Sequence, residues 1–231
     1  MVVRELAVGA RESRRSKLTK QRTLAIAAVA VVLLAILAAV GHLGFFHTSS
    51  KDAAPGQARP STAPAAPKQV VLPFEVGDPD GVAVDDKGDV YVVDSGNNRV
   101  LELPAGSDNP TELPFIGLRH PLGTAVDDAG AVYVADSENN RVVKLAAGAT
   151  NPVYLPFTDL NFPHGVAVDH KGGVYLTDLN DNRVLKLAAD SNTPSTLPFT
   201  DLNFPYGVAV DNAGNVYVTD FHKRVVKLST S

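Results

Sequence analysis

Residues 155–187 read LPFTDLNFPHGVAVDHKGGVYLTDLNDNRVLKL, and near copies of this stretch stand at 72–103, 113–145 and 197–228. The Leu-Pro-Phe triplets begin at Leu72, Leu113, Leu155 and Leu197, 41 or 42 residues apart. Self-similarity at such a period means one supersecondary unit stacked on copies of itself. Within each unit an apolar run closes on an aspartate: Gly81–Asp85, Gly123–Asp127, Gly165–Asp169 and Gly207–Asp211. A Gly-containing turn follows, then a second run, Val90–Asp94, Val132–Asp136, Val174–Asp178 and Val216–Asp220. A short polar loop leads to an Arg-led third run, Arg99–Leu103, Arg141–Leu145, Arg183–Leu187 and Arg224–Leu228. The Leu-Pro-Phe itself is assigned to a fourth strand.

The character of the strands changes in order across each unit. The first two are apolar on both faces, as a sheet packed between two others requires. The third alternates polar and apolar residues. The fourth carries Pro73, Pro114, Pro156 or Pro198, and proline inside a sheet is tolerated mainly at an edge. A gradient from inside to outside over four strands, repeated four times, describes the blades of an all-β propeller. A stacked solenoid would not need a proline-bearing outer strand in every unit.

The shared pattern, P-x-G-[VT]-A-V-D followed by G-x-V-Y-V-x-D-S-x-N-N-R-V, resembles the NHL repeat over residues 69–231. The whole arrangement is similar to the extracytoplasmic sensor domain of mycobacterial-type transmembrane Ser/Thr kinases. The kinase half is absent, with no Gly-rich nucleotide loop, V-A-I-K, H-R-D or D-F-G in the sequence. The chain enters the repeats on an outer strand, Gln69–Phe74, and leaves after a third strand. That phase predicts that the first segment completes the last blade as a clasp, giving a four-bladed ring. The family resemblance implies rings of five or six blades, so the alternative is an open arc that closes with a second chain as a homodimer.

Ahead of the repeats, residues 1–22 carry seven basic residues against two acidic ones, and residues 23–46 carry no Lys, Arg, Asp or Glu. The apolar run Leu24–Val40 lies within a stretch long enough to span a bilayer as a helix. The basic tail predicts a cytoplasmic N-terminus and a propeller outside, by the positive-inside bias. The competing reading is a cleaved signal peptide, which lacks a clear small-x-small site here. Residues 47–68 are rich in Pro and Ala and are expected to form a loose linker.

Residues 69–231 hold 11 basic and 22 acidic residues, so nucleic acid is not an expected partner. The absence of cysteine removes disulfides, thiolate metal sites and a cysteine nucleophile. Asp178-Leu179-Asn180-Asp181-Asn182 resembles half a calcium loop. Arg183 replaces its glycine, however, and no Glu follows at the twelfth position, so neither metal nor cofactor is expected.

Two sets of residues stand out. Asp94, Asp136, Asp178 and Asp220 end the second strands, and Arg99, Arg141, Arg183 and Arg224 open the third, which suggests a structural pair bracing one loop. The second set varies on a fixed frame: Asp80, Leu122, His164 and Tyr206 between proline and glycine, with Asn97, Asn139, Asn180 and Phe221 in the facing loop. In a propeller these positions share one rim, and they form the candidate ligand-binding patch. His170 is placed on the opposite rim as a solvated turn residue. No catalytic residues are assigned. The expected role is a membrane-anchored binding or sensor module for an extracytoplasmic protein, peptide or glycan. A metal-dependent lactonase- or lyase-like propeller enzyme is the alternative, and a structural envelope spacer the second. The innermost strands, GVAVD, GTAVD, GVAVD and GVAVD, offer too few side chains to hold a channel metal.

Overall fold

The computed structural model describes residues 68–229. The segments expected as a cytoplasmic tail (1–22) and a membrane helix (23–46), and nearly all of the expected linker, lie outside the described residues. No helix among the described residues is long and apolar enough to cross a membrane.

The described chain is all-β, in four antiparallel sheets that follow one another along the sequence as propeller blades. Blade 1 comprises β1 (Pro79–Val84), β2 (Val90–Asp94), β3 (Arg99–Leu103) and β4 (Thr111–Glu112). Blade 2 comprises β5 (Pro121–Val126), β6 (Val132–Asp136), β7 (Arg141–Leu145) and β8 (Val153–Tyr154). Blade 3 comprises β9 (Pro163–Val168), β10 (Val174–Asp178), β11 (Arg183–Leu187) and β12 (Ser195–Thr196). Blade 4 has only β13 (Val208–Val210), β14 (Val216–Asp220) and β15 (Arg224–Leu228).

Valine and tyrosine at alternating positions suit the pleat and bury both faces of the inner strands. Each blade packs on the next through an apolar joint. Tyr91, Val93 and Val100 meet Val132, Val134 and Val143. Tyr133, Ala135 and Val142 meet Val174, Leu176 and Leu185. Tyr175 and Val184 meet Val216 and Val218.

The Leu-Pro-Phe triplets are not the fourth strand. That strand is the two residues before the second, third and fourth triplets, and the triplet with the leucine three residues beyond it plugs a joint: Leu113, Phe115 and Leu118 enter the first, and Leu155, Phe157 and Leu160 the second. The leucine amide still bonds the third strand, as in Leu113 N to Val100 O at 2.9 Å, and then the chain turns. Phe115 N donates to Leu113 O at 2.7 Å across the proline, which has no N–H to continue the ladder.

The clasp expected from Gln69–Phe74 is not made. Residues 69–74 form no strand, Val71 is 88% exposed, and blade 4 lacks an outer strand. Among the described residues no hydrogen bond joins them to blade 4. Val82 and Val84 on blade 1 and Val225 on blade 4 are exposed, so among the described residues no packed joint unites the fourth sheet with the first. The result is an open arc.

Candidate functional site

The frame of the rim is built by the Asp and Arg of each repeat. Arg Nε reaches Asp Oδ2 at 3.0 Å for Arg99–Asp94, 2.6 Å for Arg141–Asp136, 2.8 Å for Arg183–Asp178 and 3.0 Å for Arg224–Asp220. The other aspartate oxygen accepts the amide of the loop that enters the blade: Gly77 N at 2.9 Å, Arg119 N at 2.7 Å and Asn161 N at 2.7 Å. The guanidinium tip donates to a carbonyl of that same loop, such as Gly117 O at 3.0 Å. One buried carboxylate thus ties the second and third strands of its blade to the loop that enters the blade.

The asparagines assigned to ligand recognition are used inside this frame. Asn97 and Asn139 each donate to their own aspartate at 2.8 Å, so their amides are not offered to the rim. Asn180 instead donates to Asn161. The difference has an electrostatic consequence. At Asp94 burial pushes the carboxyl up, but Asn97, the Gly77 amide and Arg99 outweigh it and hold it at about 2. At Asp178, where no asparagine side chain donates, burial wins and the carboxyl is raised.

Above the frame lies a feature that sequence reading passed over. The residues before the rim prolines, His120, Phe162 and Phe204, have φ of 47°, 62° and 45°. Left-handed backbone at a bulky side chain costs on the order of 1–2 kcal/mol. Each strained amide is held by an asparagine of the preceding blade: His120 N by Asn98 Oδ1 at 2.6 Å, Phe162 N by Asn140 at 2.8 Å and Phe204 N by Asn182 at 2.7 Å. The rings fall along the rim, with His120 6.0 Å from Phe162 and Phe204 6.2 Å from Phe221. The signal available in sequence was the Asn directly before the repeat arginine, present three times as Asn98, Asn140 and Asn182 and replaced by Lys223 in the fourth repeat.

The residues after the prolines take different places. A bulge in the register between the first and second strands of blades 1, 2 and 3 turns these residues toward the rim. Asp80 is exposed at the open edge beside Ser95, whose hydroxyl lies 3.1 Å from His120 Nδ1. Leu122 is corrected to a core residue, at 5% exposure, because blade 1 packs over it. His164 and Tyr206 stack edge to face at 5.2 Å, and burial lowers the imidazole to about 4, leaving it neutral at pH 7. Phe221 is exposed. The structure therefore brings together His164 with Tyr206, and Phe221 with Phe204, while Leu122 and the asparagines serve packing and bracing.

On the opposite rim His170 is more than a solvated residue. Its imidazole lies 2.9 Å from Asp128 and 3.0 Å from Asn212, linking the turns of three blades. Among the described residues no three His, Asp or Glu side chains converge as a cation site.

The comparisons with known proteins fit this geometry. The model of the NHL repeat matches residues 77–103, 118–145 and 160–187. The chain carries NHL repeats. The fourth, at 203–228, lies outside the matched residues but folds as the same three inner strands. The serine/threonine-protein kinase PknD of Mycobacterium tuberculosis is 53% identical over 66 residues, 26% of this chain and 10% of the kinase, in each of two strains. Among solved structures, a streptogramin B lyase aligns with a TM-score of 0.54 at 18% identity, over 66% of this chain and 54% of the lyase. A nidogen/laminin complex aligns at 0.54 and 23% identity, over 66% and 65%. A catalytically inactive virginiamycin B lyase from Staphylococcus aureus, with quinupristin, aligns at 0.52 and 18%, over 66% and 55%. At these identities the solved structures share the propeller fold with the NHL arc.

Proposed function

We propose that this protein is a membrane-anchored, extracytoplasmic binding module whose NHL arc recognises a protein, peptide or glycan at the rim that carries His120, Phe162, Phe204 and Phe221. One observation carries the reading. In three successive repeats a strained backbone position is occupied by an aromatic ring or imidazole, where glycine would avoid the cost. Strain of this kind clusters where a side chain must be presented. Aromatic faces in a row suit apolar and ring-bearing ligands, and Asp80 supplies a polar end. The local likeness to a mycobacterial kinase supports a sensing role, and the apolar run at 23–46 supports the anchor.

The test replaces Phe162 and Phe204 by glycine in the full chain. Glycine relieves the strain, so folding stability should stay level or rise, while retention of solubilised envelope proteins or of purified cell-wall glycan, tried in separate arms, should fall at least tenfold. Unchanged retention in both arms refutes recognition through this rim. Recovery of the full chain from membranes with its N-terminus intact tests the anchor, and a mature start after residue 40 would remove it.

A further inference from the structure

The three internal joints share a set of features that define what a blade face is for. The glycine of each first strand lies under the next blade. A Cβ there would stand 2.4 Å from Leu122 O at Gly81, 2.3 Å from His164 O at Gly123 and 2.4 Å from Tyr206 O at Gly165. The second residue of each third strand, Val100, Val142 or Val184, is fully buried in the joint. Its carbonyl accepts the amide of the next Leu-Pro-Phe leucine: Leu113 at 2.9 Å, Leu155 at 3.0 Å and Leu197 at 2.8 Å. In the third joint the Thr177 hydroxyl also crosses to Tyr206 O at 2.8 Å.

The free face of blade 4 carries all of these features, with none of the described residues against them. A Cβ at Gly207 would meet only its own chain's Thr219 Oγ1 at 3.1 Å. Val225, the counterpart of Val184, is 68% exposed, and Thr219, the counterpart of Thr177, is exposed as well. The free face of blade 1 is the matching half. Val82 and Val84 are 65% and 58% exposed, and Leu72-Pro73-Phe74 already forms its turn, Phe74 N to Leu72 O at 2.9 Å. Leu72 N and Val225 O, the two halves of the repeated bond, are not joined.

Charge distinguishes this joint from the other three. Internally a neutral asparagine clamps the next blade's residue before proline. On blade 4 that asparagine is Lys223, and on blade 1 the residue before proline is Asp78. The two departures from the repeat are opposite in sign and would face each other.

We propose that the free face of blade 4 binds blade 1 of a second copy of this chain, and the reverse, so that two open arcs close one ring. Curvature selects a second copy over self-closure. The arc overlays 54% of the streptogramin B lyase chain and 65% of the nidogen/laminin chain, so one arc leaves roughly a third to a half of such a propeller to be supplied by other blades. A head-to-tail contact repeated by a two-fold rotation closes without leaving an edge.

These 231 residues include no cysteine, which makes a cross-link readable. Full-length Asp78→Cys and Lys223→Cys proteins, purified separately in detergent, are mixed and treated with a short bis-maleimide. A covalent dimer should form in the mixture at least tenfold above either variant alone. A monomer-mass cross-link in the Asp78→Cys/Lys223→Cys double variant, with no dimer in the mixture, means self-closure and overturns the proposal. No cross-link in either arrangement also overturns it. Gly207→Ala, which meets only a flexible hydroxyl within its own chain, should keep the far-UV spectrum and lose the mixed dimer tenfold or more. Retention of the dimer in that variant is equally fatal.

Discussion

Replacing Arg141 by methionine isolates what the Asp–Arg brace contributes. Methionine keeps much of the aliphatic stem and removes the guanidinium. Lost with it are the 2.6 Å bond to Asp136, the 3.0 Å bond to Gly117 O and the stack over Tyr154 at 4.5 Å. Removing one partner of a buried ion pair costs about 3–5 kcal/mol. Two features reduce that here: the Arg141 side chain is 26% exposed, and Asp136 keeps the Asn139 and Arg119 donors. Halving the figure for these, and adding about 0.5 kcal/mol for the stack, gives roughly 2–3 kcal/mol. Urea unfolding followed by far-UV circular dichroism measures it, and a constant m-value shows that the denatured state has not changed. Arg224→Met provides the internal comparison. Arg224 is 41% exposed beside the free face, and the screened pair should cost about 1 kcal/mol or less. If Arg141→Met costs no more than Arg224→Met, the brace is not what holds the loop, and the Asn139 and backbone bonds suffice.

Three further outcomes are expected. His164 is held at about 4 by burial, so between its ordinary 6.5 and 4 the unfolded chain binds a proton that the folded chain does not. Stability should fall as pH falls through that window, by at most about 3 kcal/mol and nearer 1–2 for a ring that keeps some solvent access; His164→Gln should flatten the urea midpoint over the same range. Thr177→Val removes the hydroxyl that accepts Gly165 N at 2.7 Å and donates to Tyr206 O at 2.8 Å, and losing these bonds to two half-buried groups should cost about 1–2 kcal/mol by the same assay. Gly165→Ala should cost as much as overpacking does, about 1–3 kcal/mol or more, because the new Cβ meets the Tyr206 carbonyl rather than a movable side chain.

The propeller was legible because its signal is repeated. Three copies of GVAVD and one of GTAVD, with four Arg-led third strands, fix strand order and faces with no help from distant contacts. What the sequence could not convey is the sum of the joints. Ring closure depends on a rotation repeated at each interface, and a small difference per blade separates a closed ring from an arc. The clasp of Gln69–Phe74 failed on that point, and also because the Leu-Pro-Phe expected as an outer strand folds as a turn. At the rim, Leu122 stands in the same column as His164 and Tyr206, and only three-dimensional packing shows that blade 1 covers it. Asn97 and Asn139 looked like surface amides because the aspartate they bond is three residues away through a turn. The left-handed residues His120, Phe162 and Phe204 leave no mark of their own in sequence, since neither Phe nor His advertises positive φ.

The asparagine clamps connect these observations. Asn98, Asn140 and Asn182 themselves sit in the left-handed region, with φ of 57°, 52° and 53°, and each places its amide oxygen on the strained residue of the following blade. A short polar side chain tolerates that conformation better than any other residue except glycine. The asparagine can therefore hold the aromatic residue at little cost to itself, and the strain is met by a bond that crosses the joint. Rim presentation and blade stacking are then one device: a blade that loses its neighbour loses the clamp on its ring. Lys223 stands where the clamp would be and Asp78 where the ring would be, so the joint we propose between two copies would exchange a rim ring for a charge pair. A polar, salt-sensitive contact in place of a strained apolar one is what separates an interface between chains from a joint within one.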